Sequence, residues 1–379
     1  MNFELTQEHK MIRDAARDFA QMELLPGVID RDENQIFPTE QIKKLGELGF
    51  LGMMVNPRYG GAGMDTISYV LAMEEISKVD ASCSVVMSVN NSLVCWGLET
   101  FGTEDQKEKY LKPLASGEII GAFCLSEPEA GSDATSQKTT AKDKGDHYLL
   151  NGTKNWITNG NTATVYLVIA QTDVEKGHKG INAFIVEKGM EGFVVGLKED
   201  KLGIRGSDTH SLMFTDVKVP KENRIGEDGF GFTFAMKTLS GGRIGIAAQA
   251  LGIASGAYEL ALQYSRERKA FGKEISKHQA IAFKLADMAT EIDAARLLCL
   301  KAAWLKDNGK NYDQAGAMAK VFSSETAMKT TVEAIQVHGG YGFVKEYHVE
   351  RLMRDAKITQ IYEGTSEIQR IVISRSILK

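Results

Sequence analysis

The spacing of apolar residues changes period twice along this chain of 379 residues, and that double switch constrains its fold more than any single motif. A stretch written with helical period cannot settle as strands, nor the reverse. Residues 1–120 read as helices. Thr6 is placed to cap a helix with Met11, Ile12, Ala15 and Phe19 on its apolar face and a stop at Pro26 and Gly27. Thr103 and Gln106 have capping-box spacing ahead of Tyr110 and Leu111, and the glycine-rich segment 58–63 predicts a loop. From 121 to 229 the apolar runs are short and of β type: 148–150, 164–170, 183–186 and 211–219, the last closed by Pro220. Asn151 with Gly152, and Lys144 with Gly145, predict turns between them. Beyond 230 the helical period returns. Ile281, Leu285, Met288, Ile292 and Ala295 share one stripe of a helix that runs towards Trp304 and ends at Asn308 and Gly309, and a further helix is predicted over 314–337. The expectation is a multidomain α+β chain: an all-α unit over 1–120, a small β-barrel or sandwich over 121–229, and a helical bundle over 230–379.

Composition narrows the function classes. The 43% hydrophobic and 25% charged fractions are those of an ordinary globular protein, and a formal net charge of −5 with scattered basic residues argues against nucleic acid or an anionic membrane as partner. No apolar run reaches the roughly 18 residues of a membrane helix, so no span is expected. The first residues lack the basic and apolar regions of a signal peptide and are not Arg/Ser-rich. That predicts a cytoplasmic protein of bacterial type, or a matrix form without its transit peptide. Cys83, Cys95, Cys124 and Cys299 show no CxxC spacing, which predicts reduced core or site-lining residues, no disulfide framework and no metal site.

No strand is followed by GxGxxG and no Walker A loop is present, so a dinucleotide would have to be held without either turn. The residue to watch is Glu363, a lone carboxylate after an apolar and aromatic run and before Gly364. In a dry site its pKa would rise towards neutrality, which suits a general base. The bland alternative is a helix boundary with Glu363 in solvent.

The run IYEGTSEIQR at 361–370 resembles the catalytic signature of the acyl-CoA dehydrogenases. AFCLSEPEAGSD at 122–133 and NGTKNWITN at 151–159 resemble that family's two flavin segments, and QALGIA at 249–254 and QVHGGYG at 336–342 continue in family order. The likeness spans essentially the whole chain, and across 354–370 it is strongest to short-chain (butyryl-CoA) members. It implies an N-terminal helical domain, a central β domain and a C-terminal four-helix bundle, with FAD extended between the last two and partly against a neighbouring subunit of a homotetramer, a dimer of dimers.

The resemblance also implies roles. Phe123, Leu125, Ser126, Gly131, Ser132, Trp156, Ile157 and Thr158 would attend the flavin, flat apolar groups against its ring and hydroxyls on its polar edge. Read alone, Trp156 and Ile157 would be strand-core residues. Arg268, Phe271 and Gln279 resemble contacts to the pyrophosphate and adenosine end, and Arg268 read alone is an exposed helix-end arginine. Gln336, Gly339 and Gly340 would approach the same part, the glycines because only bare backbone fits, and Thr365 and Glu367, just after the base, resemble further flavin contacts. Ser132, Arg243, Thr359 and Gly364 would contact the acyl-CoA, with Ser240 standing where many relatives carry Asp.

The chemistry implied is FAD-dependent α,β-dehydrogenation of a short-chain acyl-CoA to the trans-2-enoyl-CoA. Glu363 takes the pro-R α-proton, hydride goes to flavin N5, and electrons pass to electron-transfer flavoprotein. The thioester carbonyl would be bonded by the Glu363 N–H and a ribityl hydroxyl. Branched-chain or medium-chain substrates are the near alternatives. An acyl-CoA oxidase would consume oxygen without electron-transfer flavoprotein, and a flavin-free CoA-binding scaffold would be colourless.

Overall fold

The computed structural model describes residues 4–378. The starts and ends of the expected units at residues 1–3 and 379 lie outside the described residues. The first helix, α1 (Gln7–Phe19), is capped by Thr6, whose side chain accepts from the His9 N–H. Its buried face is Ile12, Ala16 and Phe19, while Met11 is exposed and Ala15 faces solvent. The stripe is therefore rotated from the expected one, because Ala16, not Ala15, completes the i, i+4, i+7 row. Helices α2 (Thr66–Val79) and α3 (Ala81–Ser88) are buried on nearly every side, and α3 runs on through a widened turn at Val89–Cys95. The Thr103–Gln106 capping box forms as expected, with Tyr110 and Leu111 buried behind it.

Among the described residues eight strands form one mixed sheet: β1 (Gly121–Cys124), β2 (Thr140–Asp143), β3 (His147–Thr158), β4 (Val165–Gln171), β5 (Ile181–Glu187), β6 (Phe193–Lys198), β7 (Thr209–Pro220) and β8 (Arg224–Ile225). The spatial order is β6-β7-β3-β2-β4-β5-β8, and β1 joins β4 in parallel. Lys144 and Gly145 turn between β2 and β3, but Asn151 and Gly152 do not turn the chain. They lie inside β3, where the register against β7 shifts between Leu150 and Gly152. A bulge, not a hairpin, uses the glycine's freedom here.

The C-terminal part is built on α4 (Gly231–Glu267), α5 (Gln279–Asp307) and α6 (Asp313–His338), completed by α7 (His348–Ile358) and α8 (Ser366–Ile377). The stripe Leu285, Met288, Ile292 and Ala295 is buried as expected, with Ile281 partly so. Two helices, Ala81–Phe101 and Gly231–Glu267, are long and apolar enough to cross a membrane, against the expectation of no such run. In the fold that apolar surface faces protein, with 94% and 83% of the most apolar windows buried. Both are core helices by position. A network of ions ties α7 to the rest: Arg354 bonds Asp32 at 2.7 Å and also Glu350, and the Asp355 carboxylate accepts from the Ile204 N–H and from Arg351.

Candidate active site

Glu363 sits in the turn between α7 and α8, in a backbone conformation that non-glycine residues seldom adopt: φ is 52° at Glu363 and 93° at Gly364. Contacts on both sides hold this turn. Before it, the Tyr362 hydroxyl donates to Gln249 Oε1 on α4, and the Gln249 amide donates at 3.0 Å to the Ala81 carbonyl and to Ser84 Oγ on α3. After it, the Gly364 carbonyl accepts from Lys320 Nζ on α6 at 2.7 Å and from Gln369 Nε2 at 2.8 Å. Thr365 caps α8, its hydroxyl oxygen accepting from the Ile368 N–H.

The Glu363 carboxyl turns inward onto α4. A Cβ added at Gly242 would stand 2.1 Å from Glu363 Oε2 and 2.8 Å from Leu93 Cδ2, so close approach is what requires glycine there. Oε2 is buried with no hydrogen-bond partner among the described residues. Burial pushes the Glu363 pKa up to about 7, against the opposing pull of Lys320 and Arg243. The same burial pushes Lys320 down to about 8 and lowers Arg243, whose Nε also lacks a partner. A fixed carboxyl with one buried, unbonded oxygen and a near-neutral pKa has the properties of a general base.

The other expected site residues fall into two groups. Phe123 is the half-buried residue of β1, and Leu125 and Ser126 follow the strand, where the Asn155 N–H donates to the Ser126 carbonyl at 2.9 Å. Trp156 occupies a second irregularity of β3 with φ 55° and stays 54% exposed, whereas Ile157 is buried in the β core and Thr158 is half-buried. The strand-core reading thus holds for Ile157 and fails for Trp156. Gly131 and Ser132 are exposed in the loop after β1. The second group lies at one end of the bundle, where α4 ends, α5 begins and α6 ends. Arg268, Gln279, Gln336, Gly339 and Gly340 are all exposed there, and Phe271 is 95% exposed. Arg268 stands 5.6 Å over the Tyr341 ring and has no carboxylate partner among the described residues. Nothing lies within 4 Å of a Cβ added at Gly339 or Gly340, so the chain itself leaves room there; it is φ 61° that requires glycine at 339. Thr359 is fully buried, its hydroxyl donating to the Ala356 carbonyl at 2.7 Å, and Glu367 is exposed in the first turn of α8.

Sequence reasoning missed Lys320, the Tyr362–Gln249 anchor and the Gly242 seat. Lys320 left a signal: its buried neighbours one turn away on the same face, Gly316, Ala317, Ser323 and Ser324, are all small. It also missed Lys154, buried behind Leu125, which donates to the Leu125 carbonyl at 2.9 Å and to Glu127 at 2.7 Å. Among the described residues no cluster of His, Cys, Asp or Glu could hold a metal ion.

Comparison with known proteins defines the class. The N-terminal, middle and C-terminal domain patterns of acyl-CoA dehydrogenase match residues 6–118, 122–217 and 229–378. The chain belongs to the acyl-CoA dehydrogenase family, FAD-dependent oxidoreductases acting on CH–CH groups. It is 51% identical over 379 residues to the short-chain specific acyl-CoA dehydrogenase of Clostridium acetobutylicum, covering all of both chains. It is 50% identical to the human mitochondrial short-chain specific enzyme, covering 99% of this chain and 91% of that one. The butyryl-CoA dehydrogenase structure of Megasphaera elsdenii superposes with a TM-score of 0.99 at 50% identity over the full length of both. A chain from structural work on the electron transferring flavoprotein of Acidaminococcus fermentans also gives 0.99, at 54% identity and full coverage of both.

Proposed function

We propose that this chain removes the α- and β-hydrogens of short straight-chain acyl-CoA thioesters, butyryl-CoA foremost, giving the trans-2-enoyl-CoA with Glu363 as base. The observation that carries this reading is the Glu363 carboxyl: inward, unbonded at Oε2 and raised to about 7. A thioester α-carbon is a weak acid, so its carbonyl oxygen must be stabilised as enolate charge develops. The Glu363 backbone N–H donates to nothing among the described residues and is free for that oxygen. Substrate bound against Glu363 would exclude water from it and strengthen both interactions.

The residues present fit FAD. Trp156 offers an exposed aromatic face, Ser126 and Thr158 offer hydroxyls beside it, and Arg268 offers an unpaired guanidinium near exposed Gln279 and Gln336. In this reading Phe123, Leu125, Gly131, Ser132, Ile157, Phe271, Gly339, Gly340, Thr365 and Glu367 complete the cofactor's surroundings, and Ser132, Arg243, Thr359 and Gly364 attend the acyl-CoA. When bound, the flavin supplies the acceptor for the hydride leaving the β-carbon. An exposed Phe271 beside that site suits a neighbouring subunit of a tetramer covering it. Electron-transfer flavoprotein is the proposed oxidant, supported by the Acidaminococcus relative. Four free, buried cysteines suit a reducing compartment such as the cytoplasm.

The test is Glu363→Gln. Turnover of butyryl-CoA should fall by roughly 10²–10⁴-fold with fold and bound flavin retained; a variant keeping a tenth of wild-type turnover removes Glu363 from the role. A kcat/KM series over C4, C6, C8 and isovaleryl thioesters should peak at C4, and an optimum at C8 defeats the chain-length assignment.

A further inference from the structure

We infer that Lys320 is a positioning residue for the base: it fixes the Gly364 carbonyl and supplies the buried positive charge that balances the ionised Glu363 carboxylate. This rests on Glu363 being the base, as proposed above.

Lys320 is fully buried, on the face of α6 that is otherwise lined with small residues. An ammonium out of water is strongly disfavoured unless it is paired. Yet among the described residues no carboxylate lies within ion-pair distance of it, and its hydrogen bond is to the Gly364 carbonyl at 2.7 Å. That carbonyl belongs to the residue immediately after the base, in a turn whose backbone is held at two positive φ angles. A neutral donor would serve for a carbonyl alone, and Gln369 Nε2 already provides one at 2.8 Å. What Lys320 adds is charge, directed at the Glu363 turn.

The charged and titratable groups around the base come from every packed element. Lys320 faces it from α6, Arg243 from α4, Tyr69 from α2 and Tyr362 from its own turn. Arg243 is shared with Asp313 and Tyr312, and Lys320 also feels exposed Glu367. Lys320 is the first of the two cations that oppose the effect of burial on Glu363, and the only one bonded to its turn. Without it the carboxyl would stay protonated over more of the working pH range, and a protonated carboxyl cannot take the α-proton.

The experiment compares the flavin-loaded wild-type protein with Lys320→Met and Lys320→Gln. Flavin content, Tm and the pH profile of kcat/KM for butyryl-CoA are measured for each. The acid limb should move to higher pH by about one unit or more in both, the size expected for losing a nearby opposite charge. Activity lost near neutral pH should return as pH is raised. Lys320→Gln, which retains a donor for Gly364, decides the matter if the methionine variant does not fold. Lys320→Arg should leave the limb in place. A second readout needs no turnover: Glu363→Gln should raise Tm at pH 8 by more in the Lys320→Gln background than in wild type. Lower activity at every pH with an unmoved acid limb would mean Lys320 only supports the turn, and it overturns the inference. So does an arginine variant whose limb moves as far as the glutamine variant's. Failure of the reading beneath is separate, and shows as an active Glu363→Gln.

Discussion

Two glutamate–lysine associations in this molecule are built in opposite ways. Glu127 and Lys154 are almost inaccessible and fully matched. Glu127 accepts from Lys154 at 2.7 Å and from the Lys138 and Thr139 N–H groups, and Lys154 also donates to the Leu125 carbonyl and Gln137. Burial alone would raise the Glu127 pKa, but Lys154 and these donors bring it below the ordinary value. Glu363 and Lys320 share another buried region without touching, and Glu363 Oε2 is left unbonded. There burial wins, and the carboxyl rises to about 7. A saturated pair fixes a loop; an unsaturated one leaves a carboxyl oxygen without a partner, as the proposed role of Glu363 requires.

Four measurements test that contrast. Lys154→Met should do the most damage, leaving Glu127 buried and unpaired at a cost of about 3–5 kcal/mol in denaturant unfolding. A loss under 1 kcal/mol would mean that this pair is not what holds the loop. Gly242→Ala places a methyl against Glu363 Oε2, so stability should fall by ~1–3 kcal/mol and butyryl-CoA turnover at least tenfold; unchanged turnover would place the carboxyl elsewhere. The third concerns pH. The folded pKa of Glu363 lies above its ordinary 4.5, so the stability held by its neutral form is present below 4.5 and lost as pH rises through about 7. Glu363→Gln keeps that neutral form, so it should stabilise the protein by ~1–3 kcal/mol at pH 8.5 and not at pH 4.5. Equal Tm differences at both pH values would contradict a dry carboxyl. The smallest expected effect is Phe271→Ser. The ring touches little of its own chain, so stability of the flavin-free protein should change by less than about 0.5 kcal/mol. FAD binding followed by fluorescence should nevertheless weaken, and unchanged binding would detach Phe271 from the cofactor.

Much of the architecture was legible because hydrophobic period is a local property. The stripe from Leu285 to Ala295, the cap at Thr6 and the capping box at Thr103 needed only neighbours in sequence to be read. The motif around Glu363 singled that residue out, and the structure adds its buried, unbonded Oε2. The turn assigned to Asn151 and Gly152 was misplaced because a glycine's freedom serves a bulge as well as a hairpin, and the β7 partner decides which. The apolar runs at Ala81–Phe101 and Gly231–Glu267 needed the packed fold to show which surface covers them.

The order of helical, β and helical units, and the lone carboxylate before Gly364, are written in runs of adjacent residues and can be read without the fold. It took the packed fold to bury the Oε2 of this acid, to seat it on Gly242, and to set Lys320 and Arg243 against it from two helices. Desolvation and long-range charge depend on what the fold brings together, and residues dozens of positions apart carry no local mark of that meeting.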